Sequence, residues 1–195
     1  MALLRLRPLY GYLSEAEARR MLDPRVPADP ETRLILNLTL RCGMAGHEIT
    51  WMRRGDVDLE RGVLLARDAR GRPHHEVVLH PEAVKALRAY LNRFPGDYLF
   101  ERRTDPRSRP AAFYTSRRKV LRKRVRRRAR QVGVRTNVCL MVLRHTYALA
   151  ALRAGANPLN VARQLGYGSM RMMTIYLNEL ARDTTWDVRR HPVRY

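Results

Sequence analysis

Between Arg117 and Arg130 ten of fourteen residues are cationic: Arg117, Arg118, Lys119, Arg122, Lys123, Arg124, Arg126, Arg127, Arg128 and Arg130. The apolar residues Leu121, Val125 and Val132 fall along one helical stripe through this run, which predicts a long basic helix from about Ala112 to Val132 with a single buried face. A charge run is often no more than a solvated face. Ten mutually repelling cations on one helix nevertheless call for a counter-charge, and phosphate is the counter-charge that arginine suits best.

The rest of the chain points the same way. Lys plus Arg outnumber Asp plus Glu by 39 to 18 over 195 residues, a net charge of +21, and only Lys85, Lys119 and Lys123 are lysines. Arginine offers a fork of donors that fits phosphate oxygens in pairs, so a nucleic acid is the expected partner. A membrane surface is disfavoured. There is no basic amphipathic helix with Trp and Phe opposite its charges, and no run of about 20 apolar residues. Arg5 and Arg7 interrupt the apolar N-terminus, which argues against a signal peptide and for an intracellular, nucleoid-associated protein. Cys42 and Cys139 are too few and too scattered for a disulfide framework or a zinc site and read as ordinary buried thiols; no metal and no cofactor is expected. With 45% apolar residues, the chain is expected to form one domain over residues 1–182, followed by a basic tail over 183–195.

Local signals predict mainly helix with a small antiparallel hairpin or sheet, an α+β arrangement. Ser14-Glu15-Ala16-Glu17 is a capping box that opens a helix to about Leu22, and Pro24, Pro27 and Pro30 end it. Thr32 to about Leu40 reads as a buried helix, and Gly46 to Arg53 as a short one. Val63 to Arg67 and Glu76 to Leu79 form a hairpin turned at Gly71, a position that requires positive φ. Pro81 starts a helix to about Arg93. Glu101 to Pro110 lacks periodicity and reads as a loop. Helices follow from about Val138 to Arg153, from Asn157 as N-cap with Pro158 at the first position to Leu165, and from Ser169 to about Leu180. His74 and His75 are neighbours on a strand and are expected to point to opposite faces, toward solvent or a bound polyanion, which argues against a metal pair.

Two blocks carry a further message. Gly43-Met44-Ala45-Gly46-His47-Glu48-Ile49 leads into Asp56-Val57-Asp58, and Leu143-Arg144-His145-Thr146 is followed by Leu165-Gly166-Tyr167 and Thr174-Ile175-Tyr176. Their order and spacing resemble the catalytic domain of tyrosine recombinases and phage integrases over roughly Leu13 to Leu180. The resemblance implies a tyrosine recombinase catalytic-domain-like fold and an ancestral reaction in which a tyrosine hydroxyl attacks a DNA phosphodiester to form a phosphotyrosyl bond. It places Tyr176 at the nucleophile and Arg144 at the second arginine of the phosphate clamp.

The resemblance also implies losses. The first clamp arginine falls on Ala45, the proton-transferring histidine on Met141, the hairpin lysine on Arg70, and the usual His or Trp after Leu-Gly on Tyr167. Methionine exchanges no proton, and arginine is a poor proton donor that still holds phosphate. Losing one transition-state donor costs about 10²–10³ in rate. The expectation is therefore a catalytically inactive protein that binds duplex DNA through arginine–phosphate contacts, with an architectural, chromatin-like or regulatory role. Its contact residues are expected to be Arg70, Arg72, Arg117, Arg118, Lys119, Arg122, Lys123, Arg126, Arg127, Arg130 and Arg144. The alternative is an active site-specific recombinase whose missing groups come from Arg41, His47 or a partner subunit. A basic RNA-binding protein is a third reading, disfavoured because nothing resembles the aromatic-rich RNA modules. The family usually carries a separate helical domain before this one, and about a dozen residues precede the capping box here. Self-association through the tail, or pairing with an active recombinase, is the corresponding partner expectation.

Overall fold

The computed structural model describes residues 11–100 and 110–183, so most of the expected 101–110 loop and the basic tail lie outside the described residues. Helix α1 (Glu15–Leu22) opens as the capping box requires, with Glu17 N donating to Ser14 Oγ at 3.2 Å and Ser14 N to Glu17 Oε2 at 3.0 Å. Helix α2 (Pro30–Leu40) starts two residues before the expected Thr32. Asp29 is its N-cap, accepting from Thr32 N at 3.0 Å, and Pro30 occupies the first position. Pro30 thus begins α2 rather than ending α1, because a proline lacks only an N–H that the first helical turn leaves unpaired anyway.

Helix α3 (Gly46–Trp51) stops before the expected Arg53. Arg53 N donates to Asp56 Oδ2 at 2.9 Å and opens a 3-10 turn over Arg54–Asp56, which redirects the chain into the sheet. That sheet has three antiparallel strands in the order β1 (Val57–Asp58), β2 (Val63–Arg67), β3 (Pro73–Val78), one more than the hairpin expected. Val57 pairs with Leu64, and Leu64 with Val77. Gly71 turns β2 into β3 at φ +79°, as its position predicted. Asp56 also holds Arg67 of β2, with Nε at 2.7 Å from Oδ2, so the turn and the sheet are fastened together.

His80 caps helix α4 (Pro81–Arg93), its Nδ1 accepting from Glu82 N at 3.1 Å. Helix α5 (Pro110–Gln131) is the basic helix; α6 (Leu140–Arg153) begins after an extended Cys139; α7 (Pro158–Gln164) is capped by Asn157, which accepts from Leu159 N at 2.8 Å; and α8 is Arg171–Asp183. Leu34, Ile35 and Leu38 are fully buried on α2, which packs against α1, α4, α5 and α6. Ala148 and Leu149 of α6, Val161 of α7 and Met173 and Tyr176 of α8 form a second apolar cluster. The resulting architecture is helical with a small antiparallel sheet, and it seats the α3 N-terminus, α5, the start of α6 and Tyr167 around one cleft. Among the described residues no helix is long and apolar enough to cross a membrane.

Candidate functional site

Arg144 stands near the start of α6, and its guanidinium is consumed by the protein. Nη1 donates to Glu48 Oε2 at 3.1 Å, to Glu48 Oε1 at 3.2 Å and to the Gly43 carbonyl at 3.1 Å, while Nη2 donates to the Leu165 carbonyl. Nε reaches Tyr167 Oη at 3.4 Å, and the guanidinium carbon lies 5.0 Å from the centre of the Tyr167 ring. Burial works most strongly against the charge of Arg144, but Glu48, Tyr167 and Tyr176 together outweigh it, and the guanidinium is held more firmly protonated than an exposed arginine. Glu48 also accepts from Ala45 N at 2.6 Å, so one carboxylate fixes both the α3 N-terminus and Arg144. Gly43 can offer its carbonyl here because it adopts φ +74°, and a Cβ on it would lie 2.4 Å from the Tyr147 ring.

Tyr176 lies behind this pair. It is completely buried, and its hydroxyl sits 2.8 Å from His145 Nδ1 and 3.2 Å from Tyr167 Oη. Burial, reinforced by Tyr167, pushes its pKa well above that of a free tyrosine, so ionisation of the hydroxyl is strongly disfavoured. Burial also lowers His145 to about 4, with Arg144 adding to the effect, so the imidazole is neutral at pH 7. His145, the residue after Arg144, thus holds the Tyr176 hydroxyl together with Tyr167.

A cleft of about 400 Å³ opens in front of Arg144 and Tyr167. Ala45, Met141, Leu140 and Cys139 supply apolar surface to it, and Arg118 and Arg122 reach it from α5. Ala45 and Met141, the positions where the resemblance places a clamp arginine and a histidine, therefore do face a common cleft. Arg41 does not compensate. Its Nη1 lies 3.5 Å from His80 Nε2, and its side chain lines a different cavity together with Glu82 and Arg128. His47 lines the cleft; burial lowers its pKa, and Glu48 partly offsets the effect.

The two strand histidines depart from expectation. The register of β2 and β3 shifts between Ala66 and Arg67, where Ala66 faces His75 and Arg67 faces Pro73, leaving His74 as an extra residue. Such a bulge breaks the alternation of faces. Instead of pointing apart, the rings meet edge to face, with Nδ1 of His74 2.9 Å from Nδ1 of His75. His75 Nε2 lies 3.3 Å from the Gln164 carbonyl. Gln164, which sequence reasoning passed over, ties this edge to α7: its Nε2 donates to the Val78 carbonyl at 2.9 Å and to the Cys42 carbonyl at 3.0 Å, and Val78 N donates to its Oε1 at 3.0 Å. A glutamine near a helix end carries no signal that could have shown this. Among the described residues no three His, Cys, Asp or Glu side chains are grouped to hold a metal.

On α5 the structure divides the cations. Arg118, Lys119, Arg122, Lys123, Arg126, Arg127 and Arg130 are exposed. Arg117 is not: only 5% exposed, it donates from Nη1 to the Thr50 carbonyl at 3.2 Å and stacks over Tyr98 with the guanidinium carbon 4.7 Å from the ring centre. Its expected place among the outward contacts is therefore corrected, because it lies on the same side of the helix as Leu121 and Val125. Arg128 also turns inward, donating from Nε to the Met21 carbonyl at 3.0 Å and from Nη2 to that of Asp23 at 2.8 Å. Arg124 pairs with Asp29 at 2.7 Å and with Glu31. Arg70 is exposed at the hairpin tip, and Arg72 beside it pairs with Asp68 at 2.7 Å.

Residues 12–182 match the sequence pattern of the Phage integrase family. The chain belongs to the phage integrase family. Tyrosine recombinase XerA of Thermococcus kodakarensis is 28% identical over 176 residues, covering 87% of this chain and 58% of that protein. A crystal structure of XerA recombinase superposes with a TM-score of 0.71 at 26% identity, covering 94% of this chain and 66% of the other. The Tn1549 transposon integrase, solved in complex with circular intermediate DNA, shares the fold with a TM-score of 0.66 at 17% identity, covering 97% of this chain and 66% of the other. This phage integrase family chain thus spans about three fifths of the length of the curated relatives it matches.

Proposed function

We propose that this domain binds duplex DNA through the exposed cations of α5 and the hairpin arginines Arg70 and Arg72, and that it no longer cleaves the strand it holds. The carrying observation is the contrast in exposure between seven outward cations on one helix and a fully buried Tyr176 hydroxyl already engaged by His145 and Tyr167. Contacts of this kind go to the DNA backbone, so affinity is largely independent of sequence and falls steeply with salt. An architectural role, or regulation of an active recombinase on shared DNA, fits such binding. Arg144 serves as a structural arginine at the back of the cleft, since its donors are taken up by Glu48 and by backbone carbonyls. The relation to the Tn1549 integrase, whose structure holds DNA, supports duplex DNA as the ligand class.

Covalent trapping on nicked duplex DNA, comparing the unaltered chain with Tyr176→Phe, tests the loss of cleavage. Neither protein is expected to leave an adduct that survives denaturing electrophoresis. An adduct formed only by the chain with Tyr176 would restore the recombinase reading.

A further inference from the structure

The cleft in front of Arg144 combines two chemistries that a phosphate alone does not need. Its rim is cationic: Arg118 and Arg122 are exposed, one helical turn apart on α5. Leu140, Met141 and Ala45 give its lining an apolar part, and Tyr167 adds an aromatic ring. Met141 is 52% exposed and offers its apolar side chain to the cleft beside Leu140 and Ala45. The volume of about 400 Å³ lies within the range of small-ligand sites, and it exceeds the space a single phosphate group fills. Arg144, which also lines the cleft, is already engaged at every guanidinium nitrogen by Glu48, Tyr167 and backbone carbonyls, so the exposed Arg118 and Arg122 are the readier anion partners.

Resting on the DNA-binding reading above, we propose that this cleft is a nucleotide pocket: it takes one unpaired nucleotide, with the phosphate at Arg118 and Arg122 and the base against Met141, Leu140 and Ala45. A planar base gains from apolar and aromatic contact whatever its identity, so the pocket selects for extrahelical nucleotides and not for a sequence. Its two sources are an unpaired nucleotide within bound DNA and a free mononucleotide; the continuity of Arg118 and Arg122 with the rest of the α5 cation face favours the former. The protein would then recognise irregularities in DNA, such as a bulged nucleotide or a frayed end, on top of its general grip on duplex.

Fluorescence anisotropy on the full chain tests this with three duplexes of one sequence: fully paired, carrying a single-nucleotide bulge, and carrying the same bulge as an abasic sugar phosphate. The bulged duplex is expected to bind about tenfold tighter than either of the others, and Met141→Gln to shrink that ratio toward one. Equal affinity for the base-bearing and abasic bulges, with no Met141-dependent binding of dAMP, overturns the proposal, while retained, salt-sensitive binding to the paired duplex leaves the DNA-binding reading standing. Competition with dAMP covers the second source. If dAMP binds in a Met141-dependent way and the bulge gives no gain, the pocket stands as a nucleotide site but its DNA source is overturned.

Discussion

The outer face of α5 and the cluster around Arg144 are both built from arginine, yet their charges are spent differently. On α5 seven cations face solvent, while Arg124 and Arg128 on the same helix are occupied by Asp29, Glu31 and the carbonyls of the α1–α2 connection. Around Arg144 each guanidinium nitrogen already has a partner within the protein. An arginine that is free to move can meet a phosphate; one locked by a buried carboxylate has to give up its partner first. Residue type therefore says little about which arginines are open to a ligand, and burial says much more.

The sharpest way to break the comparison is to remove the carboxylate. Glu48→Gln leaves the buried Arg144 charge without its counter-ion and is expected to cost about 3–5 kcal/mol of stability, read as a lower urea midpoint at unchanged slope. A cost below about 1 kcal/mol would mean that Arg144 is not held by Glu48 and is available to a ligand, the position of an active enzyme. The double variant Glu48→Gln with Arg144→Met should recover part of the loss, since it removes the charge along with its partner.

Next in size is the outward face. Arg122→Gln, Lys123→Gln and Arg126→Gln together should weaken duplex binding about 10²-fold near 0.15 M salt and make the log-affinity against log-salt slope shallower by about 2.7. Arg128→Gln on the same helix should leave that slope where it was and lower stability instead, by about 2 kcal/mol, because hydrogen bonds from a charged donor are lost. If Arg128→Gln flattened the salt dependence as strongly as the triple variant, the division of α5 into an outer and an inner set would be wrong.

Much of this was legible in the residues. The capping signals at Ser14, Pro81, Asn157 and Pro158 placed helix starts correctly because each acts through its own backbone neighbours. The stripe of Leu121 and Val125 oriented α5, and both are buried. Arg117 and Arg128 escaped because helical periodicity marks apolar residues as inward, and a guanidinium can follow them inward when carbonyls lie within its reach. The third strand was missed because Val57–Asp58 is too short to show alternation. The histidine contact was missed because a single-residue shift in pairing depends on both strands. At the site, the positions of Ala45, Met141 and Tyr167 were readable by resemblance, whereas the burial of Tyr176 against His145 depends on how α6 and α8 pack.

The smallest expected effect concerns His145, which separates the two regions by pH. Its folded pKa is depressed to about 4 by burial and by Arg144, against about 6.5 when unfolded. The unfolded chain therefore binds more protons between these values, and stability falls as the pH is lowered through that window. The contribution is fully present above about pH 6.5 and is progressively lost toward pH 4, with a slope of at most about 1.4 kcal/mol per pH unit from this one group. Urea midpoints at pH 7, 6 and 5 should decline, and His145→Gln should flatten the decline while lowering the pH 7 value. Duplex affinity over the same range should not fall with it while the protein remains folded, because the exposed α5 cations lie outside the His145–Tyr176 cluster. A loss of affinity that tracked the loss of stability would tie the outer face to the buried tyrosine cluster and end the distinction between them.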